Sequence, residues 1–187
     1  MTESLQLLWQ RLDGGGHDAC RLRQNKRGVL LEGMAAFVEA GQVCQLRYRV
    51  EADRAFRTRQ ARLDGWIGAE QIDLRIQVEQ GRWQLDGCHQ PAADGCLDLD
   101  LGFTPATNLL PLRRLSLQVG ETAAAPAAYL AFPTLRLELL PQRYRRIAQF
   151  EYDYEAPSVG YRDVLRVSEQ GAVIDYPGLF RLMQASA

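Results

Sequence analysis

Histidine and lysine are almost missing from this sequence. Its 187 residues include two histidines, His17 and His89, and a single lysine, Lys26; every other basic residue is arginine. With so few histidines, a Ser-His or Cys-His couple has few ways to form. None of the serines (Ser4, Ser116, Ser158, Ser168, Ser186) stands in a G-x-S-x-G elbow. Cys88 adjoins His89, but neighbours on a strand point to opposite faces. The cysteines Cys20, Cys44, Cys88 and Cys96 include no C-x-x-C pair, so the usual zinc and redox spacings are excluded. They read as small core hydrophobes with reduced thiols. Gly14-Gly15-Gly16 lacks the G-K-S/T that follows in a phosphate-binding loop. No stretch approaches the roughly 20 apolar residues of a membrane span. Met1 to Gln10 contains Glu3 and no basic segment leading into an apolar run. The expectation is a soluble, cytoplasmic protein without metal or cofactor. Its 23 acidic residues outnumber its 22 basic ones, so no bulk attraction to nucleic acid is expected.

What the chain does have is alternation. Leu46 to Val50, Ile72 to Val78, Leu115 to Val119 and Leu135 to Leu139 each place apolar and polar side chains in strict turn, as half-buried strands require. Further strands are expected over 5–10, 19–24, 28–38, 55–63, 82–86, 95–101, 127–132, 143–154, 160–168 and 171–174. Asp-Gly and Gln-Gly pairs recur between them and mark tight turns. One helix is expected, at Pro177 to Gln184, where Leu179, Phe180 and Met183 would share a face. Alanines 123–125 with Pro126 read as a loop. No linker divides the chain. The reading is therefore all-β: one domain over 1–187, its many antiparallel strands curled into a roll or open barrel that hides their edges.

The segment Cys96 to Leu115 is the most unusual. Asp98 and Asp100 share one face of an expected strand, and Leu97, Leu99 and Leu101 the other. A loop with Pro105 and Pro111 follows, and a second strand is expected from Arg113-Arg114. A hairpin would bring Asp100 to Arg113 or Arg114, with Asn108 bonding backbone inside 102–111. That arrangement is a clamp. The same carboxylates could instead serve as general acid and base. In Arg143-Tyr144-Arg145-Arg146 an aromatic lies among arginines, but nearby acids point to cross-strand ion pairs on a solvated face.

Cys96, the D-x-D of Asp98 and Asp100, the T-P-x-T-N of Thr104, Pro105, Thr107 and Asn108, and the L-P-x-R-R-L of Leu110 to Leu115 together resemble the signature of a bacterial family named "putative glycolipid-binding". Shorter matches fall in order along the chain: Trp9 with Leu12-Asp13, Arg57-Thr58-Arg59, Gly81-Arg82-Trp83, Gln142-Arg143-Tyr144, and Gly171 to Pro177. Ala106 departs from the pattern, where an aromatic is expected. The resemblance implies a long sheet curled into a spiral roll and, by shape analogy with acyl-chain carriers, a lipid or glycolipid ligand. The ligand-binding candidates are Asp98, Asp100, Thr104, Thr107, Asn108, Arg113, Arg114 and Tyr144. The reading is a non-enzymatic binder. Its alternatives are an enzyme built on the Asp98/Asp100 and Arg113/Arg114 cluster, or a protein-interaction module.

Overall fold

Alternating side chains commit most of this chain to strands, and the computed structural model describes residues 3–186. The strands are β1 (Glu3–Arg11), β2 (Gly16–Asn25), β3 (Gly28–Glu39), β4 (Gln42–Ala52), β5 (Thr58–Ile67), β6 (Glu70–Glu79), β7 (Arg82–Leu85), β8 (Cys88–His89) and β9 (Asp98–Leu101). A short helix α1 (Leu109–Leu115) follows. Then come β10 (Thr122–Ala124), β11 (Ala127–Ala131), β12 (Arg136–Leu140), β13 (Arg143–Ala148), β14 (Glu151–Ala156), β15 (Tyr161–Val167), β16 (Val173–Tyr176) and β17 (Phe180–Ser186). Fourteen strands form one sheet in the order β10-β13-β14-β15-β16-β17-β1-β2-β3-β4-β5-β6-β7-β8, and β12-β11-β9 form a second. The large sheet is not closed into a barrel. Its edges are β10 and β8, of three and two residues, too short to template pairing with another chain.

Three expectations are corrected. Leu115–Val119 is not a strand: residues 109–115 are helical, and Ser116 ends the helix in a left-handed conformation at φ 46°. Pro111 is tolerated there because the first turn's amides lack intrahelical partners anyway. The expected helix at 177–184 is instead the turn into β17. Pro177 and Gly178 (φ 75°) make that turn, and β17 pairs with β1 from Gln6↔Ser186 to Arg11↔Phe180. The run 143–154 is two strands, β13 and β14, folded at 149–150.

One face of the large sheet is apolar. Leu5, Leu7, Trp9, Leu22, Leu31, Leu46, Leu63, Ile76 and Trp83 are all buried. The opposite face bears cross-strand ion pairs, as its charges suggested: Arg49 with Glu32 at 2.7 Å, and Arg62 with Asp73 at 3.2 Å. The apolar face is covered by the chain's own segment 96–115 and the small sheet. Leu99, Leu101, Phe103, Leu109 and Leu110 are each at most 1% exposed. Each contributes about 1.5–3 kcal/mol by leaving water. Hydrogen bonds lock the segment in place. Trp83 Nε1 donates to the Cys96 carbonyl at 3.1 Å, and Thr58 Oγ1 accepts from Leu99 N at 3.0 Å. Thr107 Oγ1 accepts from Leu101 N at 3.2 Å. The two threonines satisfy amides on the free edge of β9, which pairs only with β11.

The sheet has to bend around this segment. Thr104 bonds Asp18 on β2, and Asn108 bonds Tyr144 on β13. Four residues span at most about 14 Å. β13 stands second and β2 eighth in the sheet order. In a flat sheet those strands would lie about 29 Å apart.

Gly33 on β3 stands directly opposite Tyr48 on the neighbouring β4, and the Tyr48 ring lies over it. A Cβ there would fall on the ring of Tyr48, whose hydroxyl is bonded to Asp18. Gly33→Ala should lower stability by about 1–3 kcal/mol, the usual cost of overpacking. Thermal melting should show a Tm about 2–12 °C lower. An unchanged Tm would mean that Tyr48 is not held against the strand.

Candidate functional site

Three aspartates point into the space between the sheets, and each meets a different kind of donor. Asp18 is 1% exposed. Its carboxylate accepts the Tyr48 hydroxyl at 2.9 and 3.1 Å and the Thr104 hydroxyl. Thr104 Oγ1 in turn accepts from Ala106 N at 3.0 Å. Burial pushes the Asp18 carboxyl up to about 6, against the opposing pull of the Thr104 and Tyr48 hydrogen bonds. Asp98 is equally buried and is held by Arg114, Nε to Oδ1 at 3.1 Å and Nη2 to Oδ2 at 2.5 Å. Burial still raises its pKa, with the guanidinium opposing. Asp100 accepts from Gln142 Nε2 at 2.6 Å. Burial is again the main cause of its rise to about 6; the Gln142 bond opposes it and the charge of Asp98 adds to it.

Asp100 lines a pocket of about 240 Å³. Tyr129, Tyr154, Tyr161 and Tyr176 form its walls, with Thr104 and Asn108 among its polar groups. The tyrosine rings brace one another. Tyr154 and Tyr176 meet edge-on at 5.8 Å, Tyr161 and Tyr176 at 5.0 Å, and Tyr161 donates its hydroxyl to the Pro177 carbonyl at 2.9 Å. Gly102 makes room for the ring of Tyr129: a Cβ there would lie 2.7 Å from the hydroxyl oxygen. Beneath the pocket, Asn108 Nδ2 donates to the Tyr144 hydroxyl at 3.0 Å, and that hydroxyl reaches Gln142 Oε1 at 3.5 Å. The ionised form of Tyr144 is strongly disfavoured, burial being the largest cause.

Of the residues singled out from sequence, Asp100, Thr104 and Asn108 meet at this pocket. Tyr144 lies beneath it, fully buried. Thr107 is spent on β9, and Asp98 and Arg114 on each other. Arg113 is elsewhere, donating Nε to the Gln170 carbonyl at 2.7 Å and Nη1 to Gln24 at 3.0 Å. Two expected contacts are thus corrected. Asp100 meets Gln142 rather than an arginine, because Arg114 is engaged by Asp98 and Arg113, about 100° round the helix, reaches Gln24 and the Gln170 carbonyl. The Asn108 side chain bonds Tyr144 on β13; within 102–111 it is the Asn108 backbone N that bonds, donating to the Pro105 carbonyl at 3.2 Å. The tyrosine walls were not foreseen. They come from β11, β14, β15 and β16, and only their strand alternation was visible.

The fold and pocket define a class: an all-β protein whose long curved sheet is filled by its own chain and keeps one small aromatic pocket. Residues 6–182 match the sequence profile of the family described as "Putative glycolipid-binding", and the chain belongs to that family. It is similar to the crystal structure of a DUF1089 family protein from Pseudomonas aeruginosa, with 36% identity, a TM-score of 0.76, and 86% of this chain and 89% of that one covered. No curated protein matches it. No helix among the described residues is long and apolar enough to cross a membrane.

Two predictions follow from the buried carboxylates. Asp18 binds a proton more tightly folded (about 6) than unfolded (about 3.9). Its contribution is fully present below about pH 4 and is lost as pH rises through about 6. Urea denaturation of the wild type and of Asp18→Asn from pH 4 to 7 should show the wild type losing about 2 kcal/mol relative to the variant over that window. A pH-independent difference would rule this out. For the ion pair, Arg114→Ala leaves Asp98 buried without a partner and should cost about 3–5 kcal/mol. The double variant Asp98→Leu/Arg114→Met should recover most of that loss in melting experiments; equal destabilisation of both would contradict it.

Proposed function

We propose that this chain is a non-enzymatic binder that takes the sugar head group of a lipid into the tyrosine-walled pocket. The observation that carries the reading is the pocket's chemistry: flat aromatic walls, with the Asp100 carboxylate and Asn108 among them. Aromatic faces suit the C–H faces of a sugar ring, and a carboxylate and an amide suit its hydroxyls. The size favours the head group over the tail. About 240 Å³ is below the roughly 300–1,000 Å³ of sites for larger ligands, and the rest of the concave face is filled by Leu99, Leu101, Phe103 and their neighbours. The family's name supports a glycolipid, and the pocket supports which part of it is held.

Acid–base work by an aspartate pair has less support. Asp98 lies outside the pocket and is engaged by Arg114, so the pocket holds Asp100 without a second carboxylate.

Titration calorimetry with octyl glucoside, and with octanoate as the sugar-free control, tests the reading. The glycoside should saturate and octanoate should not. Asp100→Asn should weaken the glycoside at least about tenfold, equivalent to 1.4 kcal/mol. Octanoate binding as tightly as the glycoside, or an Asp100→Asn variant with wild-type affinity, would overturn it.

A further inference from the structure

We propose a second binding site, at the end of the sheet away from the tyrosine pocket, for a small carboxylate that carries an apolar ring. Arg146 takes the carboxylate, and Phe56 and Phe150 flank the ring. A cleft of about 270 Å³ lies there, and it shares no lining residue with the tyrosine pocket. Neighbouring strands from β13 to β16 run antiparallel. The turns after β13 and β15, which frame the cleft, therefore leave from the end opposite the turn after β14, which carries Val159 of the pocket. The loop between β4 and β5 supplies Phe56, and α1 supplies Leu112 and Arg113.

Arg146 is a half-buried cation that meets carbonyls where other sheltered arginines meet carboxylates. Arg11 is paired with Asp13 and Glu39, and Arg114 with Asp98. Arg146 instead donates Nη1 to the Leu117 carbonyl at 2.7 Å, Nη2 to the Gln149 carbonyl at 2.5 Å and Nε to the Ala148 carbonyl at 3.4 Å. These partners are neutral, and no carboxylate among the described residues forms an ion pair with it. Glu169, the acidic residue among those lining the cleft, is exposed. A guanidinium has five N–H groups, so two are left over here. Its carbon sits 5.8 Å from the centre of the Tyr152 ring, which together with the carbonyls fixes its place. A fixed fork with spare donors suits a carboxylate.

The remaining walls are apolar. Leu112, Tyr152 and Val167 are buried behind the cleft, and Phe150 is 40% exposed at its edge. Phe56 is strained into place. Its φ of 62° lies in the left-handed region, where an aromatic residue is an outlier. Asp53 holds it there: Phe56 N donates to the Asp53 carbonyl at 3.0 Å, and Asp53 Oδ1 accepts from Ala55 N at 2.9 Å and Arg57 N at 3.0 Å. Strain of this kind gathers at ligand sites. Here it sets the Phe56 ring under the Arg113 guanidinium, 5.7 Å from carbon to ring centre. Ring and charge thus stand side by side in the cleft. An inorganic anion uses the charge and leaves the rings idle; a ring-bearing carboxylate uses both.

Titration calorimetry of the full chain with benzoate tests the proposal, with benzamide as the uncharged control and inorganic phosphate as the control without a ring. Benzoate should saturate, and benzamide and phosphate should bind at least about tenfold more weakly. Arg146→Lys keeps the charge but loses the fork, and should weaken benzoate at least about tenfold. Phe56→Gly should weaken it at least about threefold. That variant should stay folded in thermal melting, because glycine adopts φ 62° freely, so it decides the matter if Arg146→Lys does not fold. Neither residue lines the tyrosine pocket, so octyl glucoside should bind both folded variants as it binds the wild type. Benzoate that fails to saturate, benzamide or phosphate binding as tightly as benzoate, or wild-type benzoate affinity in either folded variant would overturn the proposal.

Discussion

A sheet of fourteen strands with one apolar face has to cover that face, and this requirement shapes the rest of the molecule. The chain covers it with its own middle. Segment 96–115 leaves the sheet after β8, crosses the concave face, and returns through β10 to start the second run of strands. The closing contact is polar: Thr104 and Asn108, one turn apart, bond β2 and β13. Since those strands are distant along the sheet, the short segment also enforces its curvature. Leu99, Leu101, Phe103 and Leu110 supply the burial, and the threonines decide where it happens.

Burying three aspartates along this contact costs solvation. The chain offsets it in three ways: hydroxyl donors for Asp18, a guanidinium fork for Asp98, and an amide for Asp100. Neutral donors compensate less than a cation does, and it is Asp18 and Asp100 whose carboxyls rise to about 6. The three donors therefore sort the carboxylates by role. Asp98 is locked into structure. Asp18 ties the segment to the sheet. Asp100 sits where the filling stops, and the space left over is the tyrosine pocket.

The site was legible in part. Asp100, Thr104 and Asn108 were marked by an unusual motif in one contiguous stretch, and they meet at the pocket. Tyr129, Tyr154 and Tyr161 carried no such mark, and Tyr176 fell only within the short match over Gly171 to Pro177. An inward tyrosine on a strand looks the same whether it packs a core or walls a cavity. Nor could spacing show that Arg114 goes to Asp98 and not to Asp100, the carboxylate expected to meet Arg113 or Arg114, since a strand and a helix aim neighbouring residues differently.

The sequence by itself determined the strands, because a period of two is a local property that needs only neighbouring residues to be read. It also determined which face of each strand is apolar, and therefore that the sheet must cover that face. Tertiary structure alone decided what covers it. The pairing of β17 with β1, the helix at 109–115 in place of a strand, and the joining of Thr104 to Asp18 across 86 residues all depend on partners distant in the chain. Local alternation was no guide there. Leu115 to Val119 alternates as well as any strand, yet Leu115 ends the helix, Ser116 turns left-handed, and pairing with β13 begins only at Gly120; the helix buries Leu109, Leu110 and Leu112 instead.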